Sequence, residues 1–217
     1  MTWVVDRHRD TAAALHGLTV ADDGTRRVWV LEPTGPAVVL GSTQDRTVVV
    51  DEAAATRAGV AVVTRRSGGG AVWVTPDDPL WIDVIVPRGD ELWDDDVGRS
   101  FLPVGEAWQR ALSTVGVIGS SVHRGVMIRT AWSGTVCFAG TGPGEVLLGG
   151  AKVVGISQRR TRAGARFQCA VPRRWEPEAL RGLLRDPPPA GVLDGCGAGV
   201  GDVDAGALVG ALVTALG

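Results

Sequence analysis

Short runs of valine, leucine and isoleucine, each bounded by glycine, proline or aspartate, recur along the first half of the chain. Such runs are typical of strands in a packed sheet. Four of them predict strands, at 27–31, 37–41, 47–50 and 60–64. An alanine-rich stretch over 52–58 predicts a short helix before the last of these strands, because Asp51 is a good N-cap and Gly59 a good stop.

The apolar pattern changes its period in the middle of the chain. A strand is predicted at 71–74, and a second one at 80–86 is apolar on both alternating faces, which indicates a central position in a sheet. Apolar residues then recur every three or four positions from 95 to 115 and predict one long helix. Pro103 indicates a kink in this helix or a later start.

Two tight turns organise the second half of the chain. Strands are predicted at 126–129, 145–148, 152–158 and 166–171. Gly149-Gly150 is a two-residue hairpin signal, and a longer glycine-containing turn follows at 161–164. The last three of these strands should therefore form a three-stranded meander.

The remaining sequence predicts a helix over 177–185, a stiff proline-rich linker and a closing helix over 202–216. Strands that alternate with both hairpins and helical connections favour an α+β fold with a mixed β-sheet flanked by helices. We expect one catalytic domain, residues 1–185, and a Pro/Gly-rich linker with a C-terminal helix, residues 186–217, that packs on the same domain.

Composition narrows the function classes without identifying one. The 217 residues are 45% apolar and 21% charged, with a formal net charge of −2, so nothing favours a nucleic-acid partner. The charged start at Asp6 and Arg7 does not resemble a signal peptide, and no window approaches the ~20 apolar residues of a membrane span. A cytoplasmic protein with no membrane contact is expected. Three cysteines without a C-x-x-C pair favour reduced thiols and give no support for a metal site.

One residue type stands out, because Lys152 is the only lysine among 22 basic residues. A lysine is a compact point charge that arginine cannot replace in a tight site, so a surviving lysine indicates a specific role. The alternative is a solvated residue that protects a sheet edge. In the predicted strand, residues 152, 154, 156 and 158 share a face, which would place Lys152 and Gln158 in one cleft, and Gly155 on the opposite face would allow a close approach to the backbone.

A glycine-rich loop between two predicted strands is the second candidate. It exposes backbone N–H groups suited to phosphate or carboxylate oxygens, and its arginines could add charge-assisted hydrogen bonds. It lacks the Lys-Ser/Thr ending of a P-loop and the helix of a dinucleotide fingerprint. The alternative is a plain turn beside a solvated arginine pair. The loop comprises Arg65, Arg66, Ser67, Gly68, Gly69 and Gly70.

Cys137, in a glycine-rich loop before the lysine hairpin, is a candidate nucleophile. A reactive thiol needs access and a nearby cation or base, which Lys152 or His123 could supply, although a buried inert thiol is the commoner case. Cys169 is a second candidate, since a one-residue change of strand register would turn it toward or away from Lys152. Cys196 has no evident partner, and His16 is assigned to the surface or a helix.

Two of these segments together resemble a known family. The glycine loop, continued by Ala71-Val72, and the hairpin segment Gly150-Ala151-Lys152-Val153-Val154-Gly155-Ile156-Ser157-Gln158-Arg159 resemble the motifs of lipoate-protein ligases and octanoyltransferases, in the same order. Gly41-Ser42-Thr43-Gln44-Asp45 resembles the early Gly-x-x-Gln-Asn segment of that family. The resemblance covers about residues 25–185.

The resemblance implies a fold related to biotin ligases and transfer of an octanoyl or lipoyl group to a lysine of a lipoyl-type carrier domain. Lys152 would match the active-site lysine of the family, and the glycine loop would line the acyl site with Gly155, Gln158 and Cys169 nearby. Cys137-Phe138 resembles the cysteine-dependent octanoyltransferases, which hold the acyl group as a thioester and take it from acyl carrier protein with no cofactor. The alternative is a ligase that uses free lipoate or octanoate with ATP and Mg.

Two departures from the family pattern keep a third alternative open. Trp73-Val74-Thr75 stands where many members have His-Asp, and Cys169-Ala170 stands where they have His-Gly. These changes could alter the acyl group or the carrier. They also motivate a non-catalytic protein that binds an acyl group or an acyl carrier without turning it over.

Overall fold

The computed structural model describes residues 2–217, which form two β-sheets and six α-helices. The strands are β1 (Val4–Asp10), β2 (Arg27–Pro33), β3 (Ala37–Leu40), β4 (Ala61–Thr64), β5 (Val72–Val74), β6 (Leu80–Pro87), β7 (Ser120–Val122), β8 (Val146–Leu148), β9 (Ala151–Arg160) and β10 (Gly164–Val171). The helices are α1 (Ala12–Gly17), α2 (Arg46–Val49), α3 (Glu52–Arg57), α4 (Phe101–Thr114), α5 (Pro177–Arg181) and α6 (Ala205–Leu216). A single 3-10 turn spans Cys137–Ala139.

The large sheet has seven strands in the order β1-β2-β6-β10-β9-β8-β7, and the small sheet has three in the order β4-β3-β5. Both sheets are mixed: β1 runs parallel to β2, and β3 parallel to β4, while the other pairs are antiparallel. The predicted α+β architecture with a mixed sheet is therefore confirmed. The strand at 80–86 is central as predicted, since β6 lies between β2 and β10.

The two faces of the large sheet have different partners. One face packs against α4 and α6, whose Trp108, Leu112, Leu208 and Leu212 are fully buried. The other face packs against the small sheet through a separate apolar cluster that includes Trp81. The glycine loop connects β4 to β5 of the small sheet. It thus lies beside the face of the large sheet opposite α4 and α6, where α1 also packs.

Both predicted turns are present, and they produce the predicted meander of β8, β9 and β10. Gly149 and Gly150 have φ of +60° and +90°, the left-handed conformation that a tight two-residue hairpin requires. The longer turn closes where Thr161 N donates to the carbonyl of Gly164 at 2.9 Å.

Two predicted strands are wrong. Residues 46–49 form the short helix α2, because the Asp45 carboxylate accepts the Thr47 N–H at 2.8 Å and caps a helical turn. Residues 126–129 form no strand: only an isolated bridge joins Ile128 to Thr141, and Val126 is 86% exposed. The long helix begins at Phe101, the later start that Pro103 indicated. No helix within residues 2–217 has the length and apolar character needed to cross a membrane.

The carboxyl-terminal segment pairs with the strand that carries the lysine. Lys152 N donates to the carbonyl of Cys196 at 3.0 Å, and Ala198 N donates to the carbonyl of Lys152 at 2.8 Å. Glycine at 197 is required here, because a Cβ at that position would lie 2.3 Å from the Trp175 ring. The tail thereby forms a short extension of the sheet beside the start of β9.

Candidate active site

A narrow pocket lies between the small sheet and the face of the large sheet opposite α4 and α6. We call it the central pocket; Arg65, Cys137, Gly155, Ser157, Gln168 and His16 are among the residues that line it. Its cavity volume is about 40 Å³. The remaining lining is largely apolar, so the pocket combines a few polar side chains with an apolar wall, as small-molecule sites do.

Cys137 begins the 3-10 turn and is partly exposed to this pocket. Its backbone is tied to the strand after the glycine loop, because Cys137 N donates to the carbonyl of Ala71 at 3.0 Å. The loop packs so closely on the turn that a Cβ at Gly70 would lie 2.6 Å from Cys137 N. The glycine is therefore needed for this approach, and the loop and the cysteine form one structural unit.

Arg65 is the cation of the central pocket. The side chain is buried and donates to the backbone carbonyls of Val39 at 3.2 Å, Gly68 at 2.8 Å and Gly70 at 2.9 Å, so it holds the glycine loop in shape. Burial lowers the pKa of Arg65, and a hydrogen bond and charge interaction with Cys137 act in the opposite direction. Within residues 2–217 its Nε has no hydrogen-bond partner. Arg66, by contrast, is exposed.

Lys152 is not a solvated edge residue, since only 2% of its surface is exposed. Its ammonium donates to the backbone carbonyl of Cys137 at 2.9 Å and lies 2.7 Å from the carboxylate of Glu145. It also lies 5.4 Å from the centre of the Phe138 ring. The lysine is thus adjacent to the Cys137 turn, but it is not among the residues that line the central pocket.

Glu145 was not identified from the sequence. It is 5% exposed, and besides Lys152 it accepts the backbone N–H groups of Gly142 at 2.7 Å and Ile156 at 3.2 Å. The sequence predicted only that residue 145 begins the strand at 145–148, and a strand start does not indicate an ion pair. The pairing depends on the hairpin bringing residue 145 next to residue 152.

The prediction that Lys152 and Gln158 share a cleft is wrong. Val146 of β8 pairs with Val154 and Leu147 pairs with Lys152, so β9 holds one extra residue, a β-bulge, just after the lysine. Beyond the bulge, Ser157 faces the central pocket, and Gln158 lies on the opposite face, where its amide donates to the hydroxyl of Ser100 at 3.0 Å.

The register of β10 separates the two candidate cysteines. Cys169 pairs with Ile156, and its side chain lies in the helix-side core, fully buried. Burial raises the pKa of the Cys169 thiol well above its ordinary value. Its neighbour Gln168 points to the other face of the sheet, where its side chain contacts Ser67 and His16. Cys137 is therefore the cysteine whose thiol faces the site.

A polar chain crosses the pocket wall. It contains Ser67, which the sequence predicted at the site, together with Gln168 and His16, which it did not. The Ser67 hydroxyl donates to the Gln168 carbonyl oxygen at 2.5 Å and lies 3.0 Å from the Ser157 hydroxyl, and the Gln168 amide is 3.0 Å from His16 Nδ1. Burial, Arg166 and Arg65 lower the pKa of His16 to about 3, so the imidazole is neutral at pH 7. His123 Nε2 lies 2.8 Å from the carbonyl oxygen of Val126, and His123 does not line the central pocket.

A second cavity of about 140 Å³, which we call the side pocket, adjoins the central pocket. The two cavities share Val72, Pro79 and Phe138. Trp73 and Trp175 line the side pocket, and Trp175 stacks on Phe138 with ring centres 4.8 Å apart. Among residues 2–217 no group of three or more histidine, cysteine or acidic side chains is arranged to hold a metal ion.

Several solved ligases share this fold. The chain superposes on lipoate-protein ligase A bound with ATP with a TM-score of 0.76, at 16% identity, covering 99% of this chain and 84% of that one. For a bi-partite lipoate protein ligase from Thermoplasma acidophilum, solved in a study with its E2 lipoyl domain, the TM-score is 0.72 at 16% identity, with 99% and 82% coverage. For the biotin protein ligase from Aquifex aeolicus in complex with biotin and ATP, the TM-score is 0.52 at 10% identity, with 99% and 68% coverage.

These likenesses, at low identity, show the shared fold. No curated protein matches the chain in sequence. Residues 12–197, however, match the family described as the lipoyl protein ligase A/B catalytic domain, and this stretch contains the glycine loop, Cys137 and Lys152. The chain therefore belongs to the lipoyl protein ligase A/B catalytic-domain family and is an acyltransferase or ligase enzyme of protein lipoylation.

Proposed function

We propose that this chain is a cysteine-dependent octanoyltransferase, which passes an octanoyl or lipoyl group from a thioester donor to one lysine of a lipoyl-type carrier domain. The observation that carries the proposal is the position of the Cys137 thiol, in the central pocket and beside the buried guanidinium of Arg65. A thiol with access and a neighbouring cation has the environment of nucleophilic cysteines.

The proposed reaction has two acyl transfers. The Cys137 sulfur attacks the carbonyl carbon of the donor thioester, a carbon–sulfur bond to the enzyme forms, and the donor thiol leaves with the proton that Cys137 gives up. The amine of the carrier lysine then attacks the enzyme thioester, an amide forms, and the proton lost by the amine returns to Cys137. No ATP is consumed, because the donor thioester is already activated.

Arg65 and Lys152 have different parts in this proposal. Arg65 lines the pocket, and within residues 2–217 its Nε–H has no partner, so it is the donor available to an oxyanion that develops on the acyl carbon. The Lys152 ammonium donates a hydrogen bond to the backbone carbonyl of Cys137 and therefore fixes the position of the turn that carries the thiol. Lys152 is a positioning residue in this arrangement.

The side pocket favours a second candidate, an ATP-dependent lipoate ligase. Its two tryptophans offer flat apolar surfaces that suit a purine ring, and Arg174 at its rim suits a phosphate. ATP with Mg would then activate free lipoate or octanoate as an acyl-adenylate, and Cys137 would only pack. A protein that binds an acyl group without turnover is the third alternative.

Intact mass of the purified protein after incubation with octanoyl-loaded acyl carrier protein, without nucleotide, tests the proposal. We expect one octanoyl adduct that hydroxylamine removes, that is absent in Cys137→Ser and that persists in the matched control Cys196→Ser. Transfer to a lipoyl domain should follow. If an adduct is absent and the domain is modified only with ATP and free acid, the ligase is correct. If the domain is never modified but the acid binds, the protein is non-catalytic.

A further inference from the structure

Two arginines that have no acidic partner among residues 2–217 lie beside the central pocket. Arg159 is on the pocket face of β9, two residues beyond Ser157, and Arg66 precedes Ser67 in the glycine loop. The 3.0 Å contact between the Ser67 and Ser157 hydroxyls holds these two segments together. The charge of Arg66 acts on the Arg159 guanidinium across this contact. Arg166 lies opposite Arg159 on the neighbouring strand β10. In contrast to Arg159, its guanidinium forms an ion pair with Asp83 at 2.6 Å.

Among residues 2–217 no carboxylate compensates the charges of Arg66 and Arg159. Burial lowers the pKa of the Arg159 guanidinium, and the charges of Arg66 and Arg166 lower it further. His16, on the same side of the sheet, has its pKa lowered by burial and by the charges of Arg166 and Arg65. Within residues 2–217 no carboxylate lies within 4.0 Å of Arg66 or Arg159. A positive region next to a reactive thiol is therefore open to an anion.

We propose that Arg66 and Arg159 form a binding site for a phosphate group of the acyl donor. A planar guanidinium group can donate two hydrogen bonds to the oxygens of one phosphate. Gly68 and Gly69, which are exposed, lie on the same glycine loop as Arg66. The site rests on the proposed function, since it serves the molecule that delivers the acyl group to Cys137. Either a phosphopantetheine thioester or an acyl-adenylate carries such a phosphate.

Matched donors with and without phosphate test this site. The variants are Arg66→Gln and Arg159→Gln, and the control is Arg57→Gln, which makes the same change of charge on an exposed arginine of α3. The donors are octanoyl-4′-phosphopantetheine, octanoyl-pantetheine and octanoyl-adenylate. The KM for each donor is measured with a lipoyl domain as the acceptor.

A lost charge-assisted bond to phosphate should raise the KM for the phosphorylated thioester about tenfold in each variant. The KM for octanoyl-pantetheine should stay within about twofold of the unmodified protein, because that donor has no phosphate to lose. Arg57→Gln should change neither value. If only the octanoyl-adenylate KM rises, the phosphate belongs to an adenylate. Equal changes for both thioesters, or none for any donor, overturn the proposal.

The proposed function can fail separately from this site. If the unmodified protein transfers no acyl group from any donor, calorimetry with 4′-phosphopantetheine and pantetheine still measures phosphate recognition directly. We expect binding of the phosphorylated compound that weakens about tenfold in Arg159→Gln. Equal affinities for the two compounds would exclude a phosphate site.

Discussion

The ammonium of Lys152 lies 2.7 Å from the carboxylate of Glu145, and both side chains are almost completely removed from solvent. Burying two charges costs solvation energy, which their attraction and the surrounding hydrogen bonds offset. Here the bonds connect three segments: Glu145 accepts from Gly142 and Ile156, and Lys152 donates to Cys137. The pair therefore joins the loop before β8, strand β9 and the turn that carries Cys137.

Breaking this pair from one side should destabilise the fold. Glu145→Gln or Lys152→Met alone leaves one buried charge without a partner, at a cost of about 3–5 kcal/mol in the free energy of unfolding. The double variant removes both charges and should recover a large part of that loss. Urea unfolding of the four proteins measures the cycle.

Acyl transfer should not recover in the double variant, because no side chain then holds the Cys137 carbonyl. A double variant as active as the unmodified protein would mean that the pair only stabilises the fold. If each single variant lowers the free energy of unfolding by less than about 1 kcal/mol, the ion pair is not buried as described.

The glycine loop offers a matched pair of substitutions. A Cβ at Gly70 would lie 2.6 Å from the Cys137 backbone nitrogen, whereas a Cβ at Gly68 would meet nothing within 4 Å. Gly70→Ala should lower the free energy of unfolding by about 1–3 kcal/mol and displace the Cys137 turn. Gly68→Ala should change the free energy of unfolding by less than about 0.5 kcal/mol. Thermal unfolding measures the stability of the two variants, and the rate of acyl-adduct formation measures the displacement of the Cys137 turn. Equal changes in Gly70→Ala and Gly68→Ala would contradict the described packing.

The sequence predicted the features that depend on neighbouring residues. Gly149-Gly150 sets a hairpin because both positions need positive φ, and the double-faced apolar run at 80–86 identifies a central strand. The glycine loop and Cys137 were found as local motifs. Features that depend on the whole fold could not be predicted in this way. The bulge after Lys152 changes which side of β9 faces the pocket, so the predicted shared cleft of Lys152 and Gln158 was wrong. Glu145 and His16 reach the site only through tertiary packing.

The three free thiols should differ in reactivity toward iodoacetamide at about pH 8. Cys137 faces the central pocket and Cys196 is partly exposed, so both should be alkylated in the folded protein. Cys169 is fully buried with a raised pKa and should react only after unfolding. Peptide mass mapping identifies each site.

Loss of acyl transfer should follow alkylation at Cys137 and persist in a Cys196→Ser background. Prior incubation with the octanoyl donor should protect Cys137 alone. Alkylation of Cys169 in the folded protein would contradict the register of β10.

His16 should remain neutral across the physiological range. Its pKa falls from 6.5 to about 3 in the folded protein, with burial as the largest cause and the charges of Arg166 and Arg65 next. Between these two values the unfolded chain binds a proton at this position and the folded chain does not. Stability from this group is therefore fully present above pH 6.5 and decreases as pH falls toward 3.

NMR of the His16 ring should show no titration between about pH 8 and 5. The free energy of unfolding, measured over the same range, should fall with acid more steeply for the unmodified protein than for His16→Gln, which keeps an oxygen for the Gln168 amide. Because the variant lacks the group that takes up the proton on unfolding, the difference between the two proteins isolates this one site from the carboxylates. A His16 ring that titrates near pH 6.5, or identical slopes for both proteins, would show that the imidazole is not enclosed by the pocket wall and its arginines.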